Sequence, residues 1–308
     1  MNELQEELDA INFAEADELS LVVGVGWRTF LKCIPSLWLL ALVCSIPPAC
    51  IIANIPFEAI FERLHLSELK ALKLQMRIES LVELPFLAVV FLTTMVTSVR
   101  AMAGRRLGAL ADFKTAMRRL PATIWTFILA FSVLIGIAFC LAILLGVLCA
   151  VTVSEDLIVI AMGIGSTVIL TVMMAFFVTF IFCLHSTAIG GTCGASALRE
   201  SSSLVMGRWW ATLGELIVLF LVFIMLYMPV FAETFALEFF LPGGGMAVCI
   251  AKDIFTITLG FIAVMFLSSA MTVLYLLRRW RVRREACSCV GEGYENGEVG
   301  YKEGEGNE

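Results

Sequence analysis

Six stretches of this chain, roughly 33–55, 84–103, 121–152, 157–185, 211–232 and 247–277, are each long and apolar enough to cross a bilayer. A membrane helix needs about 20 predominantly apolar residues, because hydrocarbon offers the backbone no hydrogen-bond partner other than itself. The expected fold is therefore an all-α integral membrane protein: six transmembrane helices arranged as three hairpins. Composition agrees, with 60% hydrophobic residues, 16% charged residues and a mean hydropathy of +0.95, where soluble domains carry about 25% charge. The third and fourth stretches exceed the minimum, which predicts tilt or extension beyond the hydrocarbon.

Six spans put both termini on one side, and the positive-inside rule selects that side. With a cytoplasmic N-terminus, 16 of the 21 bases lie inside, the exceptions being Arg63, Lys70, Lys73, Arg77 and Lys252. The candidate lipid-headgroup contacts among them are Arg105, Arg106, Arg118, Arg119, Arg208 and Arg281. Trp27, Trp125, Trp209, Trp210 and Trp280 fall near the same boundaries, where amphipathic rings anchor helices. The expected location is thus the cytoplasmic membrane, multi-pass, with both termini inside. Residues 1–20, "MNELQEELDAINFAEADELS", hold seven acids and no Lys or Arg, so they lack the basic n-region of a signal peptide and are expected to be retained. Residues 21–284 form the transmembrane domain. The Gly/Glu-rich tail, 285–308, has too little apolar surface to fold and is expected to be disordered.

"ALRESSSLVMGRWW", Ala197 to Trp210, precedes the fifth span. Read as a helix, it places Leu198, Val205 and Trp209 on one face and Glu200, Ser203 and Gly207 on the other, which predicts a short cytoplasmic interfacial helix with its serines in water. "GALADFKTAMRRL", residues 108–120, repeats the pattern, with Leu110, Phe113, Met117 and Leu120 opposite Asp112, Thr115 and Arg119, before Pro121 opens the third span. "GWRTF" and "GRWWA" also parallel one another ahead of the first and fifth spans, suggesting three repeats of interfacial helix plus hairpin. On the far side, residues 57–83 read as one amphipathic helix.

No span carries an Asp, Glu, Lys or Arg near its centre. Such residues are costly in hydrocarbon and usually functional, so their absence argues against a proton relay or a mid-membrane metal site. His185 and Glu215 form a candidate interfacial polar site; the alternatives are an interface-exposed histidine and an acid favoured near a helix N-terminus. Thr93–Thr94, Thr97–Ser98, Ser166–Thr167 and Ser268–Ser269 either line a polar path or bond to backbone and neighbouring helices. Ala161, Gly163, Gly165, Gly190 and Gly194 fit close helix packing. "LPGGGMAV", residues 241–248, is a turn or a shallow re-entrant segment. Cys287 and Cys289 are too few for a zinc site, and the cysteines in or beside the spans act as small hydrophobes. No catalytic residue, cofactor or metal is assigned.

The layout, with "ALRESSSLVMGRWW" before the fifth span and "RRLGALADFKTAMRRLP" (Arg105 to Pro121) before the third, resembles the membrane domain of bacterial glycerophosphodiester phosphodiesterases and related uncharacterised six-helix proteins. That resemblance implies a bacterial cytoplasmic-membrane protein with no settled activity. The phosphodiesterase itself needs a barrel domain with an early His-Arg pair and metal-binding carboxylates. Here the only histidines are His65 and His185, neither is followed by Arg, and no soluble stretch could form the barrel, so no catalytic residue carries over.

The leading expectation is a non-catalytic protein that organises or senses membrane lipids, or serves as the membrane module of a complex. The alternatives are a permease subunit, suggested by "ESSSLVMG" at 200–207, and a membrane-embedded lipid-modifying enzyme using His185 and Glu215. Expected partners are membrane lipids and, as an alternative, a second copy or another membrane or ATPase subunit; nucleic acid is not expected.

Overall fold

The computed structural model describes residues 18–65, 67–105, 108–151, 155–240 and 246–295. In chain order the helices are α1 (Glu18–Ala53), α2 (Phe57–Arg63), α3 (Glu68–Met102), α4 (Ala109–Val151), α5 (Glu155–Phe180), α6 (Cys183–Ala188), α7 (Ala195–Val205), α8 (Trp209–Phe240) and α9 (Met246–Glu295). Six of these carry stretches long and apolar enough to span a membrane. No strand occurs among the described residues, and the protein is an all-α multi-pass membrane protein.

Each sequential hairpin packs on itself, α1 with α3, α4 with α5 and α8 with α9. The most extensive contact, however, joins the first long helix to the last. Gly26 of α1 lies where an added Cβ would sit 3.0 Å from the Ala270 backbone, so the glycine lets α1 and α9 approach closely. Phe30 and Trp27 close the same seam against Phe266, with ring centroids 5.7 Å apart in both cases. These helices and α3 form the core. In the most apolar stretch of α9, 67% of residues are buried inside the protein, whereas none is in that of α4.

The apolar core also holds buried hydroxyls where α3 and α9 meet. Thr93, Thr94, Thr97, Ser98, Ser268, Ser269 and Thr272 are all fully buried. Ser98 donates to Ser269 Oγ at 3.0 Å, and Ser268 donates to the Phe91 carbonyl at 3.0 Å. Interhelical hydroxyl bonds are favoured in a membrane because the apolar exterior offers such groups nothing. Ser166 and Thr167 instead bond back to carbonyls of their own helix at an exposed position. Cys33 and Cys183 are buried and unbridged.

Several sequence expectations are corrected here. Residues 108–120 are no separate interfacial helix: α4 runs unbroken through them, with Pro121 inside it. Asp112, expected on the wet face, is instead fully buried, while Leu110 and Met117 lie exposed at the bundle surface and Phe113 and Leu120 are half-buried. The physical reason is that Arg100 and Thr97 of α3 meet the Asp112 carboxylate in the interior. Among the described residues a separate short amphipathic helix precedes a hairpin only as α7, ahead of the last. Residues 57–83 are likewise two elements: the first ends at Arg63, just before His65 takes a φ of +47°, and the second begins at Glu68. The second of them runs on past Pro85 into the span. Finally, α9 continues to Glu295, into the segment expected to be disordered. Residues 1–17, Arg106, 241–245 and 296–308 lie outside the described residues.

Candidate functional site

The polar cluster at the arginine-rich end of the bundle begins with a broken helix. α5 stops at Phe180 and the chain resumes as α6 at Cys183, which frees backbone groups that a membrane interior cannot leave unpaired. Ser201 of α7 repairs the break. Its hydroxyl donates to the Thr179 carbonyl at 2.8 Å and accepts from the Phe182 N–H at 3.2 Å. Ser201 is fully buried, a correction to the reading of this serine run as a wet face.

α6 is a six-residue helix whose Cys183, His185, Ser186, Thr187 and Ala188 are all buried. Its last carbonyls have no helical partner, and Arg119 of α4 supplies one, donating from Nη1 to the carbonyls of Ala188 and of Ile189, the latter at 3.0 Å. Arg119 is thus half-buried and turned inward rather than free for a lipid headgroup. Gly194 then turns the chain into α7 with a φ of +58°, its N–H donating to Thr126 Oγ1 at 2.9 Å.

α9 contributes Tyr275, Arg278 and Arg279 within one turn. Glu200 of α7, expected in solvent, accepts from the Tyr275 hydroxyl at 3.1 Å and from Thr192 at 3.0 Å, and pairs with Arg279 at 3.5 Å. Arg278, 2% exposed, donates from Nη2 to Glu215 Oε2 of α8 at 2.7 Å. Glu215 is therefore a buried ion-pair partner and not an interface-exposed acid. A second pair at this end joins Arg100 to the buried Asp112, which also accepts from Thr97 at 2.9 Å.

His185 is enclosed by aromatic rings: Tyr275 at 5.7 Å between centroids, Phe91 at 6.0 Å and Phe182 at 6.3 Å. His185 and Glu215 share no hydrogen bond, ion pair or ring contact; His185 packs on Tyr275, and Glu215 pairs with Arg278, one turn farther along α9. Among the described residues, five buried side-chain polar atoms have no hydrogen-bond partner: His185 Nδ1 and Nε2, Ser186 Oγ, and Arg278 Nε and Nη1. Ser186 Oγ lies near the Tyr275 hydroxyl without meeting hydrogen-bond geometry. Buried polar atoms are nearly always paired, so their confinement to α6 and one turn of α9 sets this region apart.

Gly190 fixes the approach of these elements. A Cβ there would lie 2.6 Å from the Ser186 carbonyl oxygen and 3.0 Å from the Tyr275 hydroxyl. Gly190→Ala should destabilise by about 1–3 kcal/mol through overpacking. Gly163→Ala, with nothing within 4 Å, should be neutral or slightly stabilising; denaturant titration of both variants in mixed micelles reads the contrast.

Of the other headgroup candidates, Arg105, Arg118 and Arg208 are exposed and Arg281 is half-buried. Trp27, Trp125 and Trp210 are exposed, whereas Trp209 packs against the core and Trp280 is half-buried. Sequence reasoning missed Tyr275, Arg278, Glu200, Ser201 and the Arg100–Asp112 pair. A usable signal existed for one of them: an acid one turn inside a span requires a base at matching depth, and Arg278 is the first base after the last apolar stretch.

Fold and site together define a multi-pass helical membrane protein with an ion-paired polar interior at one end. No protein-family model matches the sequence, and no curated protein or solved structure matches it either.

Proposed function

We propose that this protein is a non-catalytic membrane protein that organises or senses lipids, seated in the cytoplasmic membrane with its arginine-rich end inside. The observation that carries this reading is the set of exposed bases and tryptophans near that end: Arg105, Arg118 and Arg208 with Trp27, Trp125 and Trp210. A basic side chain near an anionic surface contributes about 1 kcal/mol, and exposed tryptophans fix the depth at which the bases sit. The layout's resemblance to phosphodiesterase membrane domains belongs to the same reading, as does the absorption of Glu215 into an ion pair, which withdraws it from acid–base work.

Replacing Arg105, Arg118 and Arg208 together by Gln should weaken the preference for anionic over zwitterionic vesicles by about 100-fold, the sum of three such contacts. Co-flotation of the reconstituted protein's purified cytoplasmic-face peptides would not suffice; the full chain in discs of mixed phosphatidylglycerol and phosphatidylcholine, with bound lipid counted by native mass spectrometry, is required. An unchanged lipid ratio would overturn the reading.

A further inference from the structure

We infer that the buried cluster of His185, Ser186 and Arg278 is a binding site for a phosphate group, reached from under α7. The inference deepens the lipid reading and rests on it only for the source of the phosphate.

Three observations converge. First, the unpartnered buried atoms are mostly donors: Arg278 offers three N–H groups on Nε and Nη1, Ser186 a hydroxyl, and His185 a ring N–H when neutral. A group rich in acceptor oxygens is the complement of such a set, and phosphate supplies the most at one centre. Second, the charge here favours an anion. Arg119, Arg278 and Arg279 carry three positive charges near the cluster against two from Glu200 and Glu215, and the Arg100–Asp112 pair at the same end adds one of each sign. Glu215 takes only Nη2 of Arg278, holding the guanidinium in place while leaving its other donors to a ligand. Third, the cluster stands at a helix break held by side chains rather than by continuous backbone bonding. Discontinuous helices in membranes mark places where irregular backbone lines a binding site.

The site is built around Tyr275. Its ring packs on His185, its hydroxyl sits by Ser186 and on Glu200, and Arg278 follows one turn along α9. A phosphate on Arg278 with neighbouring ester or hydroxyl oxygens toward Ser186 and His185 would satisfy the cluster. α7 covers this end, and its Glu200 and Ser201 are held by polar bonds that an entering headgroup can replace.

The phosphate has two possible sources, a phospholipid headgroup or free inorganic phosphate, and the experiment separates them. The full chain is reconstituted in discs of phosphatidylglycerol with phosphatidylcholine, or in discs of phosphate-free galactolipid with inorganic phosphate added, then released and weighed by native mass spectrometry. The expected result is one phosphate-bearing ligand per chain, retained about tenfold or more less in Ser186→Ala, in His185→Phe and in the paired Arg278→Leu/Glu215→Leu variant. The last variant removes both charges together, and the two single variants are mild enough to keep the fold, which elution as a monodisperse species verifies. Retention of phospholipid assigns the site to lipid, and retention of inorganic phosphate alone assigns it to the soluble ion. A wild type that holds neither, or folded variants that hold the ligand as the wild type does, would overturn the site. The Arg105, Arg118 and Arg208 variant should still hold the ligand while losing vesicle selectivity, so failure of the lipid reading and failure of the site give different patterns.

Discussion

Arg278→Ala should lose about 3–5 kcal/mol of stability, because truncation leaves Glu215 as an unpaired charge inside the bundle. Glu215 is 6% exposed and Arg278 2% exposed, so neither can recover water by a small rotation. The magnitude is comparable with much of the margin that holds an ordinary domain together, and the variant is expected to unfold at markedly lower denaturant in mixed micelles. Replacing both residues by apolar ones, as in Arg278→Leu/Glu215→Leu, should recover most of that loss. It removes the stranded carboxylate, and with it the two guanidinium nitrogens that lack partners.

The double-mutant cycle separates two views of this pair. If the pair is chiefly a structural clamp, the apolar pair should be as stable as the wild type or more so and otherwise behave identically, as buried ion pairs often do when replaced by well-packed hydrophobes. If it holds donors ready for a ligand, the apolar pair should fold well and lose the bound phosphate. Coupling near zero between the two positions would refute the buried pairing itself.

How much of this was legible in the sequence depends on which physical signal each feature left. The spans were legible because about 20 apolar residues in a row have few other uses, and each predicted stretch falls on a long helix to within one or two residues at its end, with the fourth interrupted at Ile181 and Phe182. The direction of amphipathic faces was not. The periodicity of 108–120 is real, but it does not say which polar residue finds an interior partner; Asp112 went inward because Arg100 and Thr97 of α3 meet it there. The break between α5 and α6 was hidden because no Gly or Pro marks it. It depends on Ser201, some twenty residues away, and no local pattern announces such a splint. Arg278 was masked by company: in "RRWRVRRE" it is one of five arginines, and only its depth relative to Glu215 distinguishes an interior partner from a surface anchor. His185 and Glu215 are both buried, but the residues each meets, Tyr275 and Arg278, lie on α9, and which face of α9 meets α6 is a tertiary fact.

The Arg100–Asp112 pair yields the second large effect, and its direction is set by unequal burial. The Asp112 side chain is fully buried, while that of Arg100 is 16% exposed. Arg100→Ala therefore strands a carboxylate in the interior, where the remaining donor is the Thr97 hydroxyl, itself also bonded to the Thr93 carbonyl at 2.9 Å. The expected cost is about 3–5 kcal/mol. Asp112→Ala strands nothing comparable: Arg100 lies in the last turn of α3, and its long stem can carry the guanidinium to the polar boundary, so the expected cost is about 1–2 kcal/mol, near that of a lost charged hydrogen bond. Unfolding of the two variants side by side in mixed micelles tests the ordering. Equal losses, or a larger loss from Asp112→Ala, would mean that the carboxylate is not held in the interior by Arg100. The same comparison at Arg278 and Glu215 should show no such imbalance, because both partners there are almost fully enclosed. A pair that can relax toward water tolerates losing its buried member, and a pair that cannot is intolerant at both ends.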